Sequence, residues 1–97
     1  MNTINNEINM DVTADFKSSK LLDINAKEVI LINLKKNAIF PEHTSPRDAT
    51  LLILEGKIIF HINNSEFNLE KHQTFNFPKN EKHWVAATKN SKFLIIR

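Results

Sequence analysis

Four histidines, His43, His61, His72 and His83, are the side chains of this sequence best suited to proton transfer or transition-metal binding. A neutral imidazole donates one nitrogen lone pair to a metal or a proton, and its charge changes near neutral pH. There is no cysteine, so disulfides and thiolate metal sites are both excluded. Ser18, Ser19, Ser45, Ser65 and Ser91 all lack the glycine-flanked strained turn of a nucleophile elbow. The single glycine, Gly56, cannot build a phosphate-cradling loop.

The elements that must position these histidines read as short strands. Glu28-Val29-Ile30-Leu31-Ile32-Asn33-Leu34 is a β-branched run closed by Lys35-Lys36-Asn37. Ala38–Phe40, Thr50–Leu54, Ile58–Ile62, Glu66–Leu69, Thr74–Phe77, Trp84–Ala87 and Phe93–Ile96 follow, separated by turn residues such as Pro41, Ser45-Pro46, Glu55-Gly56, Asn63-Asn64-Ser65 and Lys89-Asn90-Ser91. No stretch keeps helical periodicity for three turns, and strands at this spacing form a sandwich or barrel. The expected class is all-β. Residues 1–20 are polar and aperiodic and are expected to be a flexible N-terminal arm, or a strand that orders only against a partner, with the barrel domain spanning residues 21–97.

Two segments carry a family signal: Asn37–Gly56, NAIFPEHTSPRDATLLILEG, and His72–Ala87, HQTFNFPKNEKHWVAA. At matching spacing, they resemble the paired motifs of the cupin superfamily. Asn37, His43, Ser45, Ala49 and Gly56 fall on the first motif; His72, Pro78, Asn80, His83 and Ala87 fall on the second. The resemblance covers roughly residues 28–97 and implies a cupin-type double-stranded β-helix, a jelly-roll barrel. Asn37, His72 and Asn80 replace turn glycines, and Asn and His tolerate positive φ better than most residues. Ser45 and Ala49 replace family metal ligands and cannot do their work, which leaves His43 and His83. Catalytic zinc normally has three protein ligands, so the cofactor expected is at most a divalent transition metal held weakly.

If His43 faces inward, strand alternation turns Ser45, Ala49, Leu51 and Ile53 inward too, provided no bulge intervenes. Ser45, Leu51 and Ile53 would then line a site for a small-molecule ligand, with the two histidines at its end. Two alternatives stand beside this: Leu51 and Ile53 simply fill the barrel, or His43 and His83 form a hydrogen-bonded pair with no ligand. Glu42 and Asp48 should point away from the site unless a bulge re-aims them. His61 is expected on an outer strand face and His72 in a solvated turn. Phe75 and Phe77 share one strand face, while Trp84 points away from the side taken by His83 and suits a contact between sheets or subunits.

The net charge is +2, with Lys35-Lys36 the only adjacent basic pair, so no nucleic-acid partner is expected. No apolar stretch approaches the ~20 residues that span a bilayer and no secretory leader stands at the start, so the expectation is a cytoplasmic chain without a membrane partner. The resemblance implies a homodimer. Three functions remain open: a small-molecule binder with weak or no metal binding, a dioxygenase- or isomerase-like metal enzyme using His43 and His83, and an interaction protein with a filled barrel.

Overall fold

Alternation of apolar and polar side chains decides where this chain extends. Ala49, Leu51 and Ile53 are buried while the residues between them stay partly exposed, and Ile58, Phe60 and Ile62 repeat the pattern. A period of two buries one face of a sheet.

The computed structural model describes residues 2–97, and the strands among them are β1 (Phe16–Ile24), β2 (Lys27–Leu34), β3 (Ile39–His43), β4 (Ala49–Glu55), β5 (Lys57–Ile62), β6 (Ser65–Glu70), β7 (Thr74–Phe77), β8 (His83–Ala87) and β9 (Ser91–Ile96). They form a five-stranded sheet ordered β1-β2-β9-β4-β7 and a four-stranded sheet ordered β3-β8-β5-β6. Every pairing is antiparallel. The chain crosses repeatedly from one sheet to the other, which is jelly-roll topology. The inner faces enclose one core that includes Leu51, Ile53, Phe60, Phe77, Val85 and Phe93. No helix among the described residues is long and apolar enough to cross a membrane.

The turns explain the scarcity of glycine. Asn37, His72 and Asn80, aligned above with family glycines, all have positive φ, at 70°, 72° and 63°. Two-residue hairpin loops at Asn25-Ala26 and Asn63-Asn64 also place every central residue at positive φ, as turns matched to strand twist require. Gly56 has φ 87°, and a Cβ there would collide with Ser91 and the Asn90 carbonyl. Among the described residues, asparagine serves five of the other seven positive-φ sites, because its side chain is compatible with the left-handed region, and Ala26 and His72 occupy the remaining two.

One boundary differs from the sequence reading. Residues 16–20, expected in the flexible arm, belong to β1, where Phe16 pairs with Leu34 and Lys20 with Ile30. This edge strand is ordered by the backbone ladder to β2, so its side chains show little apolar alternation for a sequence pattern to detect. Upstream of it, a single 3-10 turn at Glu7–Asn9 lies against the outer face of β2, held by Lys92 Nζ donating to the Ile8 carbonyl at 2.8 Å.

Candidate functional site

His43 and His83 meet because β3 and β8 are antiparallel neighbours with those two residues in register. Phe40 pairs with Val85 on the same ladder, so three steps along β3 oppose two along β8. The extra residue is a β-bulge at Pro41-Glu42. Without it, Phe40 and His43 would face opposite sides of the strand. With it, their rings stack at 4.1 Å, tilted by only 11°.

Each histidine is oriented by the carbonyl two residues before it. His43 Nδ1–H donates to Pro41 O at 2.7 Å, and His83 Nδ1–H donates to Glu81 O at 2.9 Å. The two Nε2 atoms then converge to 3.0 Å. Proton counting makes this arrangement informative. Three hydrogen bonds need three protons, and two neutral imidazoles bring two. The pair is complete only when a further donor or cation supplies what is missing.

The surroundings decide where charge can sit. His83 is 2% exposed and packs against Phe60 at 5.2 Å and Phe77 at 4.7 Å. Burial pushes its pKa below the ordinary histidine value, and the neighbouring His43 pushes it the same way, against an opposing hydrogen bond to Glu81. His43 is only half-buried on the edge strand β3, whereas His83 is enclosed.

The remaining candidates lie elsewhere or are already engaged. The Ser45 hydroxyl donates to Arg47 O at 2.6 Å and accepts from the Arg47 backbone N–H and from Arg97 Nη1, both at 3.3 Å. Arg97 and Arg47 in turn face Glu28 at 3.4 Å and 4.0 Å. Leu51 and Ile53 face inward as alternation predicts, in the core cluster that also holds Phe60 and Phe77. Asp48 Oδ1 accepts the Lys79 N–H, and Glu42 is exposed. Among the described residues no group of three or more His, Cys, Asp or Glu is placed to hold a metal. The donor set therefore stops at two imidazoles, which does not fit a tightly held catalytic metal.

His61 and Trp84 lie on the outer face, as expected, stacked at 3.6 Å with Glu66 beside His61 at 3.7 Å. His72 is exposed in its turn. The sequence reading missed the aromatic surroundings of the pair, Phe40, Phe60 and Phe77, and the two orienting carbonyls. The signal for Phe40 was Pro41, a residue that removes a ladder donor and marks edge strands and bulges.

Residues 30–96 match the family model described as cupin domain. No curated protein sequence matches the chain. Among solved structures, an RmlC-like cupin protein from Desulfovibrio desulfuricans superposes with TM-score 0.83 at 16% identity, covering 99% of this chain and 94% of that one. A conserved protein of unknown function from Streptococcus pyogenes gives 0.82 at 21%, covering 98% and 84%. The Cnp3 cupin domain of Schizosaccharomyces pombe gives 0.76 at 18%, covering 92% and 67%. At such identities these likenesses show the fold.

Proposed function

The chain belongs to the cupin domain family, and on that premise we propose that it binds a small molecule at the His43–His83 pair and is not a metal-dependent catalyst. The observation that supports this is the missing proton: two oriented Nε2 lone pairs face each other at 3.0 Å with no hydrogen of their own to share. A ligand hydroxyl or ammonium supplies such a donor. The rings around the pair, Phe40, Phe60 and Phe77, favour a ligand with a flat apolar body, approaching over the edge strand β3. A divalent metal would have two imidazoles from the protein and would be held weakly.

The packing of Leu51 and Ile53 against the core favours a second reading, an interaction protein with a filled barrel. Metal analysis of the purified protein and melting with added Zn, Mn, Fe or Ni, each repeated on His43→Ala, address the enzyme reading. Near-stoichiometric metal that disappears in the variant would overturn the proposal. Phenol, titrated against the ring resonances of His43 and His83, addresses binding. Saturable shifts lost in His43→Ala support it, and no shift at either ring leaves the filled barrel. Light scattering on the same sample tests the homodimer.

A further inference from the structure

A cavity lies outside the barrel, between the N-terminal segment and the outer face of the five-stranded sheet. It has a volume of about 450 Å³ and is lined by Glu7, Asp11, Lys17, Ser19, Leu31 and Asn33, among others. Leu31 and Asn33 alternate with Ile32 and Leu34 of the core, so they face away from the barrel interior and from the histidine pair. Both are nonetheless buried, Leu31 to 1% exposure and Asn33 to 7%.

The walls of this cavity hold unmet demands. Asn33 Oδ1 is the one buried side-chain polar atom among the described residues without a hydrogen-bond partner. A buried orphan acceptor costs about 1–3 kcal/mol, a reason to ask what occupies the space beside it. Oδ1 itself has almost no exposed surface, so a half-turn of the amide about its soft terminal torsion, exchanging Oδ1 with Nδ2, is what brings the acceptor to the cavity. Lys17 and Lys92 flank Asn33 in register on the neighbouring strands. Lys92 is already engaged by Glu55 and the Ile8 carbonyl. Lys17 forms no ion pair among the described residues, and neither Glu7 nor Asp11 does. Opposite charges thus line one cavity without neutralising each other.

We propose that this cavity is a binding site for a small zwitterion of the free amino acid class. The ligand ammonium is met by Asn33 Oδ1 with the carboxylates of Glu7 and Asp11, and its carboxylate by the Lys17 ammonium. Leu31 and Met10, which also lines the cavity, receive its apolar portion. The volume lies in the range of small-molecule sites.

The test uses the full ¹⁵N-labelled chain, titrated with L-leucine, with N-acetyl-L-leucine (anion only) and with L-leucinamide (cation only). Leucine is expected to shift the Asn33 side-chain amide and the Ser19 and Leu31 backbone amides in a saturable way, with each singly charged derivative at least about tenfold weaker. Asn33→Leu is expected to fold with an unchanged or higher Tm, since an orphan acceptor is replaced by an apolar group, and to lose the response. Lys17→Met is expected to bind leucine no better than leucinamide. No saturable shift with leucine, or an undiminished response in Asn33→Leu, overturns the assignment. These outer-face resonances are separate from the His43 and His83 rings, so this proposal and the preceding one fail independently.

Discussion

His83 Nε2 lies 3.0 Å from His43 Nε2 while both Nδ1 atoms point at carbonyls, so the two rings are held in one fixed arrangement. A proton on His83 would place a positive charge in a buried ring packed against Phe60 and Phe77.

The burial of His83 sets a pH dependence. Burial first, and His43 as a further cause, hold the folded-state pKa of His83 below its unfolded value of 6.5. Below that value the unfolded chain binds a proton that folded His83 refuses, so the unfolded state gains on acidification. The contribution is fully present above pH 6.5 and is lost as the pH falls from 6.5 through the folded pKa. Thermal melts of wild type and His83→Phe from neutral to acidic pH should show the smaller acid slope in the variant. Equal slopes would remove His83 as the cause.

Ser45 should behave as a structural residue. Its hydroxyl makes three hydrogen bonds to Arg47 and Arg97 and is 2% exposed. Ser45→Ala is expected to lower stability by about 1 kcal/mol, the typical worth of a buried hydrogen-bonded group. Phenol-induced shifts at His43 and His83 should remain. Denaturant unfolding and the same titration separate the two effects, and loss of the shifts with stability intact would return Ser45 to the site.

Gly56 tolerates no side chain. An added Cβ collides with Ser91 and the Asn90 carbonyl at φ 87°. Left-handed strain and overpacking together predict that Gly56→Ala costs about 2–4 kcal/mol in urea unfolding.

Ala26 is the opposite case. It occupies φ 62° in the β1–β2 turn with neither the freedom of glycine nor the local hydrogen bonding of asparagine. Ala26→Gly should stabilise the chain by about 1 kcal/mol, read as a higher urea midpoint with an unchanged slope. A lower midpoint would show that the turn carries no strain worth relieving.

Much of the site's cast was visible before folding, though not its arrangement. His43 and His83 stood out by type and spacing, and Asn37, His72 and Asn80 marked turns because few other side chains accept positive φ. Inward-facing Leu51 and Ile53 followed from alternation within the single strand β4. That reasoning could not extend from His43 to Ser45, since β3 ends at His43 and β4 begins at Ala49.

The sequence by itself determined the local properties: which segments extend, which faces are apolar, where the chain turns and which residues can carry a proton or a metal. These follow from side-chain chemistry and backbone sterics within a few residues. Tertiary structure alone decided the rest. A bulge opposite β8 put Phe40 beside His43, a backbone ladder drew residues 16–20 into the sheet, and Arg97, 52 positions away, engaged Ser45. Register and partnering depend on which strands meet, and a short stretch of sequence holds no record of its neighbours in space.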